Sequence, residues 1–545
     1  MDRRRFLATS LAGLGALALG GCSTGKGAKA AATPVRTVRL PQGALGFPSP
    51  FACNADIGYN QMSLLYDTLL WKDGSGALLP WLAERVTSSD DHLTHTFTLR
   101  DGLHWSDGRP LTADDVVFTF DYYAKQGTLA PPVIIQPPSG IAGVRAGGPG
   151  TVVVTLDRPL VTFAEQVAGA LPIIPKHVWS AITDAAGTQK LKVLVGSGPY
   201  RLVKYNGDGG PLLYAARDGY FLGAPFVQRI EEQAIEDPIA GLAAGTTDAG
   251  RGEGLRADIL APFENDTFGM ISEQGSTTSP LYWNLGKEGP LSDVRFRQAC
   301  AMAIDRQDLV NRLAAGRGLP GNPGFLSPAN RFFVPVRQYP FDVAGANALL
   351  DAAGYRTGNN GIRQWARGPL SFELLIENGQ APLSEILVSS LKRVGVELRP
   401  KLVQLGPQLF GNKFVGNYDM AVLFFPGPGP GGPNADPDVL RVLFSSNVDP
   451  SLQAASSYAN LAFDDLAERQ RVTFDEAQRA SMVAQMQKLL ADDIPMLPLY
   501  YPETAILFRK QVLDQWYFTP GQFPSQTDNK QLFVTGRKAG TSIRT

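Results

Sequence analysis

The side chains that most often carry chemistry, histidine and cysteine, are few and scattered in this 545-residue chain. There are four histidines, and none has the spacing of a metal-binding motif or of a Ser-His-Asp triad. We therefore expect His92, His95, His104 and His177 to be solvated or structural. Neither a metal site nor a cofactor is predicted.

The three cysteines divide by position. Cys22 follows a short apolar segment near the N-terminus, whereas Cys53 and Cys300 lie in the body of the chain. Cys300 falls on the apolar face of a predicted helix, which favours a buried thiol. A Cys53–Cys300 disulfide is the alternative, and the sequence leaves it open.

Two glycine-rich stretches are similar to functional motifs, but each lacks residues or a preceding strand that its motif requires. Around Ser197, Val195 stands where the nucleophile elbow G-x-S-x-G of a hydrolase requires its first glycine. Residues 20–27 approach a phosphate-binding loop, but no strand precedes them and no Ser or Thr follows Lys26. We therefore expect a protein that is not an enzyme. An exported lipoprotein hydrolase is the alternative from another class.

One stretch is suited to binding a ligand without turnover. Residues 418–425 are strongly apolar and are predicted to form a buried strand, and the Pro- and Gly-rich residues 426–433 follow directly. Asn434, Asp436 and Asp438 come next. Open α/β sheets place ligands at the carboxyl ends of their strands, which makes this loop a candidate ligand site. A plain linker is the alternative, but well-patterned elements on both sides argue against a domain boundary.

The elements around this loop indicate an α/β protein. Residues 370–376 and 396–403 are predicted strands on either side of a helix over 382–394, an order that favours a parallel sheet. Earlier, residues 281–285 alternate like a strand and give way, through a Gly/Pro joint, to a helix pair over 293–316. Such a handover is typical of a chain leaving one lobe for another.

The N-terminus predicts export. Residues 1–21 combine arginines, a short apolar run and small residues, as a cleaved export signal does. Arg3-Arg4 with Phe6-Leu7 resembles the twin-arginine signal, and Leu19-Gly20-Gly21-Cys22 resembles the bacterial lipobox, whose cysteine is lipidated. Residues 22–34 would then be the lipidated Cys22 and a flexible tether. An ordinary secretory signal with an incidental cysteine is the alternative.

The charge and the length of the chain limit the kind of partner it can have and its number of domains. The formal charge is −1, and removal of the signal takes away three Arg and one Asp, which leaves −3. That near-neutral balance argues against a nucleic-acid partner. The length predicts two or three domains.

Several separated blocks of the sequence stand out together, in order along the chain. They are residues 97–116 (FTLRDGLHWSDGRPLTADDV), 196–200, 293–299 with 303–306, and 494–500. These blocks resemble the family-5 extracellular solute-binding proteins, and the resemblance covers nearly all of the mature chain. The family consists of receptors of ABC importers and includes oligopeptide, dipeptide and nickel binders.

The resemblance implies an α/β, two-lobed, periplasmic-binding-protein-like fold that closes on its ligand as a hinged trap. It implies an extra α+β subdomain in lobe one, and hinge crossings at residues 281–285 and 498–501. By analogy, lobe I comprises residues 35–75, 190–285 and 505–545, its extra subdomain residues 76–189, and lobe II residues 286–504.

The resemblance also implies a function. The chain is expected to be a monomeric substrate-binding lipoprotein that captures an extracellular solute and delivers it to the permease and ATPase subunits of an ABC importer. It would be anchored by lipid to the outer face of the bacterial membrane, or be periplasmic. An oligopeptide or peptide-like ligand is expected first, and an oligosaccharide or other neutral solute is the alternative within the fold. The sequence shows no histidine-rich cleft, which argues against nickel as the ligand. A chaperone-like envelope lipoprotein that binds unfolded segments is a further alternative for the class of protein.

The ligand contacts implied by the resemblance include one that depends on alignment. In peptide-binding members an aspartate after the strand that ends at Phe425 pairs with the amino terminus of the peptide. One alignment gives that role to Asp436, and the other places the uncharged Pro433 there. A buried ammonium without a partner costs several kcal/mol, so the second alignment favours a neutral ligand. The candidate contacts are Asn54, Tyr282, Trp283, Asn284, Phe425, Asp436, Asp438 and Tyr501. For each aromatic residue among them, simple packing in a core is the alternative.

Overall fold

The computed structural model describes most of the chain outside its N-terminal segment. No helix among the residues that it describes is both long and apolar enough to cross a membrane. The described residues are 35–42, 46–53, 58–72, 78–126, 140–207, 209–275, 277–403, 417–423, 425–426, 436–448, 457–516 and 529–536.

The helices are mostly short, and a six-residue π-helix spans Phe163–Ala168. The α-helices of the described residues are α1 (Tyr59–Leu65), α2 (Ala113–Gln126), α3 (Lys176–Trp179), α4 (Pro238–Ala244), α5 (Ala257–Leu260), α6 (Val294–Ala303), α7 (Arg306–Leu313), α8 (Val343–Ala352), α9 (Ala381–Lys392), α10 (Asp438–Phe444), α11 (Leu461–Arg471), α12 (Glu476–Asp493) and α13 (Lys530–Thr535).

The strands fall into separate sheets. They are β1 (Val35–Gln42), β2 (Leu70–Lys72), β3 (Leu78–Pro80), β4 (Ala83–Ser88), β5 (Thr94–Leu99), β6 (Ile141–Gly148), β7 (Thr151–Leu156), β8 (Tyr200–Tyr205), β9 (Leu212–Ala216), β10 (Val227–Ala234), β11 (Ala249–Glu253), β12 (Phe268–Gln274), β13 (Thr277–Thr278), β14 (Pro280–Trp283), β15 (Gly318–Pro320), β16 (Arg356–Thr357), β17 (Arg363–Trp365), β18 (Gly368–Pro369), β19 (Ser371–Glu377), β20 (Glu397–Val403), β21 (Met420–Val422), β22 (Phe425–Pro426), β23 (Met496–Pro498) and β24 (Tyr500–Arg509).

The first lobe, as we name it, holds the sheets built from the N-terminal half. One sheet has the order β1-β10-β9-β8, and another has the order β4-β5-β7-β6. A third, β11-β24-β12, takes its middle strand from near the C-terminus, and β15 also pairs with β24. A large apolar core joins the first two sheets and reaches to Phe533. The C-terminal segment therefore returns to the first lobe.

The second lobe is organised around a five-stranded sheet of order β20-β19-β21-β14-β23. β19 pairs in parallel with both β20 and β21, and α9 joins β19 to β20. This confirms the predicted parallel strand–helix–strand unit. Apolar clusters cover both faces of the sheet, with Leu281 and Trp283 in one and Tyr282 in the other.

The chain passes between the lobes on adjacent strands. Pro280 of β14 pairs with Pro498 of β23, while β13 precedes β14 and β24 follows β23. The hydroxyl of Thr278 donates a hydrogen bond to the carbonyl of Tyr500 at 2.8 Å. The crossing is therefore a pair of antiparallel segments at residues 278–280 and 498–500. The domain bounds implied by the resemblance stay a prediction.

Local signals in the sequence set several helix ends. The side chain of Asp293 accepts the N–H of Arg295 at 2.9 Å and starts α6, and Asp305 accepts the N–H of Asp308 at 3.0 Å and starts α7. Gly316, with φ of 78°, follows α7 and confirms the predicted stop. Such caps satisfy N–H groups that have no partner within the helix.

The two cysteines of the described part are free. Cys300 is fully buried in the core of the second lobe, as predicted from its place on the apolar face of α6. Burial raises the pKa of its thiol, which therefore stays neutral. Cys22 lies outside the described residues.

Candidate functional site

The candidate ligand loop is held at its first end by the crossing. Phe425 and Pro426 form β22 and pair with Thr278 and Thr277 of β13. The half-buried ring of Phe425 meets Phe325 edge-on, with the ring centroids 5.7 Å apart. The strand before the loop thus ends beside the segment where the chain changes lobes. The residues between, 427–435, lie outside the described part.

The second end of the loop is held by buried ion pairs. Asp436 receives two hydrogen bonds from Arg479, at 2.9 and 2.7 Å, and Asp438 receives two from Arg441, at 2.9 and 2.8 Å. Gln470 joins the pairs, because it donates to Asp438 at 2.7 Å and accepts from Arg479 at 3.0 Å. Asp436 is 5% exposed and Asp438 is fully buried.

The charges of this network differ in how they are stabilised. Burial raises the pKa of Asp436 above its ordinary value, although the contacts with Arg479 oppose that rise. Burial raises the pKa of Asp438, but Arg441 and the amide of Gln470 outweigh burial, and the net pKa lies below its ordinary value. Burial lowers the pKa of Arg479, but its contacts with Asp436 raise it above the ordinary value overall. Both sets of charges are matched within the second lobe.

A second charged pair lies on the first lobe opposite this network. The ammonium of Lys72, at the end of β2, is 2.5 Å from a carboxylate oxygen of Glu165 on the π-helix. Just before the π-helix, the N–H of Val161 donates to the carbonyl of Arg471 at 3.0 Å, which joins the lobes. Arg471 is the sequence neighbour of Gln470, so the π-helix approaches the network. Single π-turns occur frequently at functional sites.

Two side-chain contacts also join the lobes. The guanidinium of Arg158 lies 3.4 Å from the carboxylate of Glu468 on α11. The ring of His92 stacks on Phe474, with the centroids 3.7 Å apart and the planes 6° from parallel. The first lobe thus touches the α11–α12 region through side chains and backbone, and the lobes are closed on each other here.

Three predicted contacts lie inside the second lobe. Trp283 is fully buried in the core against Phe296, and Tyr282 is 2% exposed on the other face of β14. Asn284 is 5% exposed, and its side-chain amide donates to the carbonyl of Tyr418 at 2.8 Å. Each of these side chains makes its described contacts within the second lobe. Their role as ligand contacts therefore stays a prediction.

Tyr501 is fully buried at the start of β24. Its hydroxyl donates to the carbonyl of Phe325 at 2.6 Å. Phe325 has φ of 74°, a left-handed conformation that is strained for a residue with a side chain and that clusters at binding sites. Tyr501 therefore holds the strained residue whose ring contacts Phe425. Asn54 and Pro433 lie outside the described residues.

The catalytic and metal chemistry considered from the sequence finds no support in the described part. No group of three or more His, Cys, Asp or Glu residues there is arranged to hold a metal ion. Ser197 is buried, and its hydroxyl accepts the N–H of Asp67 at 2.9 Å. His95 contacts Ser88 at 2.8 Å, but its other ring nitrogen is buried without a partner. Among the described residues no third group therefore orients the ring of His95, as the base of a catalytic triad requires.

Sequence reasoning missed four residues that this geometry brings forward. Arg479 and Gln470 complete the buried network, and Lys72 and Glu165 face it from the first lobe. Arg479 carried no signal, because a lone arginine in an amphipathic helix usually lies on the solvated face. A capping or spacing pattern does not reveal a partner 43 residues away in the chain.

The comparisons with known proteins agree with this architecture. Residues 77–450 match the family model described as "Bacterial extracellular solute-binding proteins, family 5 Middle". Protein XP55 of Streptomyces lividans is 28% identical over 503 residues, 90% of this chain and 88% of its own. The dipeptide-binding protein of Escherichia coli is 26% identical over 471 residues, which cover 82% of this chain and 85% of that protein. The structure of the oligopeptide-binding protein AppA from Bacillus subtilis, in complex with a nonapeptide, has a TM-score of 0.77, with 21% identity over 92% of this chain and all of that chain.

Proposed function

Because the chain belongs to the bacterial extracellular solute-binding proteins of family 5, we propose that it is the receptor of an ABC importer for an oligopeptide or a peptide-like solute. The observation that carries this proposal is the position of the described residues on either side of 427–435. Phe425 and Pro426 pair with β13 beside the lobe crossing, and Asp436 and Asp438 are fixed by buried ion pairs in the second lobe. We propose that the ligand binds next to these residues, between the lobes. Two of the relatives reported above are named for dipeptides and oligopeptides, which supports the ligand class.

Capture follows from lobe closure. Closing two lobes removes the ligand from water, so its polar groups need hydrogen bonds and its apolar groups need walls. We propose the crossing at residues 278–280 and 498–500 as the hinge, because the chain changes lobes there and each lobe has its own core. The permease and ATPase subunits would then receive the solute from the closed receptor.

The state of Asp436 bears on which peptides bind. Its carboxylate already receives two hydrogen bonds from Arg479 and a third from the N–H of Asp438 at 2.8 Å. An ammonium group of a ligand would have to displace Arg479 from a buried pair, which is costly. We therefore favour the alignment that gives Pro433 the anchor position, and a site that does not depend on a free amine.

The amine question has a direct test. We expect a tetrapeptide and its N-acetylated form to bind the mature chain with dissociation constants within about threefold of each other, since removing a used ion pair would cost tenfold or more. Isothermal titration with both forms measures this. A loss of binding on acetylation would instead show a working amine anchor.

The ligand class is tested by a thermal-shift screen of peptide, oligosaccharide and nickel–histidine libraries on the mature chain. A ligand that binds only the folded state raises the melting temperature. Stabilisation by peptides, with the peptide recovered intact by mass spectrometry, supports the proposal. Stabilisation by oligosaccharides alone would mean that the ligand is an oligosaccharide and not a peptide. Steady conversion of a ligand to a product would favour the alternative of a hydrolase.

We also propose that Cys22 carries a lipid that anchors the receptor outside the cell membrane after export. The support is the Leu19-Gly20-Gly21-Cys22 pattern behind an export signal. Cys22→Ser should release the protein from washed membranes into the soluble fraction. Replacement of Arg3 and Arg4 by lysines tests the twin-arginine route, since export through that route should then fail.

A further inference from the structure

A lysine–aspartate pair is enclosed in the first lobe, where the C-terminal segment returns to it. Lys530 is the first residue of α13, and Asp67 lies between α1 and β2. The ammonium nitrogen of Lys530 is 2.6 Å from Oδ1 of Asp67, and the two side chains are 2% and 0% exposed. Neither residue is a predicted contact of the transported solute.

The two carboxylate oxygens of Asp67 have very different surroundings. In addition to the ammonium, Oδ1 accepts the Nε1–H of Trp81 at 2.8 Å and the hydroxyl of Tyr220 at 3.2 Å. Oδ2 is buried and has no hydrogen-bond partner among the described residues. Buried polar atoms are nearly always paired, and an unpaired atom of a charged group is especially costly. The fold thus holds one oxygen of this carboxyl group with three donors and leaves the other unsatisfied.

Aromatic rings shield the pair from water. The nitrogen of Lys530 lies 4.3 Å from the ring centre of Trp71 and 5.7 Å from that of Trp81, and both rings are buried. Burial lowers the pKa of Lys530, although its contacts with Asp67 oppose that change. An ion pair and a neutral pair of amine and carboxylic acid differ by one proton transfer, and burial favours the neutral pair. A neutral amine is a nucleophile, and here it lies against a carboxyl group.

We propose that Lys530 and Asp67 condense into an amide that ties α13 covalently to the first lobe. The ammonium gives one proton to Oδ2, and the freed lone pair of Nζ forms a bond to Cγ of Asp67. Charge that develops on Oδ1 is stabilised by the N–H of Trp81 and the hydroxyl of Tyr220, as in an oxyanion hole. A second proton passes from the nitrogen to Oδ2, the bond from Cγ to Oδ2 breaks, and water leaves. The reaction needs no oxidant, reductant or further reactant.

The product matches the site better than the ion pair does. Two buried charges disappear, and the oxygen that leaves is the one without a partner. Oδ1 becomes the amide carbonyl and keeps Trp81 and Tyr220 as donors. The carbonyl of Tyr66, which accepts from the ammonium at 3.1 Å, is in place for the remaining N–H. An ordinary buried ion pair is the alternative.

Trypsin digestion of the denatured mature chain, followed by mass spectrometry, tests the bond. Trypsin does not cleave after an amidated lysine, so residues 511–537 should stay in one piece and be joined to residues 40–72. The mass of this branched peptide should be the sum of the two peptides less one water. The proposal is overturned if residues 531–537 are released in full and residues 40–72 are recovered at their own mass.

Two variants assign the bond to its residues. Lys530→Arg keeps the positive charge but supplies no amine, so the branched peptide should disappear, and its persistence would overturn the proposal. Lys72→Arg is the matched control, because Lys72 also lies 2.5 Å from a carboxylate oxygen, on the 31% exposed Glu165. It should leave the bond between Lys530 and Asp67 intact. If Lys530→Arg does not fold, the digest of the parent chain decides alone. None of these results depends on which solute is transported.

Discussion

Asp436 and Asp438 are predicted ligand contacts whose carboxylates are engaged within the second lobe, and their role as contacts stays a prediction. Each carboxylate is paired in two-point fashion with an arginine inside the second lobe. A buried pair of this kind adds little net stability compared with apolar residues of the same volume, but breaking it is costly. The two pairs fix one geometry for the start of α10, which begins at Asp438.

Asp436→Asn tests that role at the level of one residue. The change leaves the charge of Arg479 buried without its counter-ion, so we expect the free energy of unfolding to fall by about 3 kcal/mol or more. Urea unfolding measures it. Asp465→Asn, which breaks an exposed pair with Arg469, is the control and should cost less than about 1 kcal/mol. A loss of peptide affinity with unchanged stability would contradict the structural role.

The sequence could not show which face of a strand meets the ligand. Residues 281–283 alternate as predicted, but apolar clusters cover both faces of β14, so alternation separates two cores rather than core from solvent. The hydrogen-bonded place of Asn284 and the pairing of Asp436 with Arg479 depend on contacts far along the chain. The sequence pointed to Asp436 by its place in the loop after a predicted buried strand, and to Asn284 by its place next to the predicted crossing strand. Neither position carries information on the partners of these side chains.

Element boundaries were predicted more closely, because capping is a local effect. Asp293 illustrates this at the start of α6, directly after the crossing strand. Its carboxylate accepts the N–H of Arg295 at 2.9 Å and the hydroxyl of Tyr355 at 3.0 Å. Burial raises the pKa of Asp293, but the bonds from Arg295 and Tyr355 outweigh it, and the net pKa lies below its ordinary value.

Two substitutions of Asp293 separate the contribution of its capping hydrogen bond to stability from the contribution of its charge. A pKa that is lowered in the folded state means that the ionised form stabilises the fold above pH of about 4 and that this contribution is lost as pH falls through the folded pKa. Asp293→Asn keeps a capping oxygen and should flatten the acid limb of the stability profile. Asp293→Ala should in addition cost about 1 kcal/mol at neutral pH. Equal stability of both variants at pH 7 would argue against the cap.

Gly321 marks the closest approach of elements at the crossing. Its N–H donates to the carbonyl of Leu499 at 3.0 Å, and a Cβ here would lie 1.8 Å from the carbonyl oxygen of Pro498. We expect Gly321→Ala to lower the free energy of unfolding by about 1–3 kcal/mol, because backbone must move. Thermal unfolding measures it, with Gly143→Ala as the control, since nothing lies within 4 Å of its Cβ. An unchanged free energy of unfolding for Gly321→Ala would mean that the backbone at the crossing can shift at little cost.

At the scale of the molecule, the parallel unit in the second lobe was predictable and the assembly of the lobes was not. Strand–helix–strand order is local, and it gave the correct pairing of β19 with β20. The order β20-β19-β21-β14-β23 interleaves strands more than 200 residues apart, and hydrophobic periodicity carries no information on such pairing. The strand and helix pair over residues 281–316 indicated a passage between lobes, and the hinged arrangement of two lobes was expected from the family resemblance.

Closure can be measured through the contact between Arg158 and Glu468, which joins the lobes at 3.4 Å. If this contact forms only in the closed state, its energy adds to ligand affinity, because the ligand selects that state. Glu468 also lies 4.0 Å from Arg471, so a single variant at Glu468 mixes two effects. A double-mutant cycle isolates the contact between the lobes.

The cycle uses Arg158→Ala, Glu468→Gln and the double variant, with affinity measured for the tightest peptide from the thermal-shift screen. Both partners are partly exposed, so we expect a coupling energy of about 0.2–1 kcal/mol that shrinks as salt rises. Small-angle scattering of the peptide-free chain should show a larger radius of gyration for Arg158→Ala. No coupling, together with unchanged scattering, would mean that the contact is equally present in open and closed states. Closure would then depend on the backbone bond from Val161 to Arg471 and the stacking of His92 on Phe474, which the cycle leaves intact.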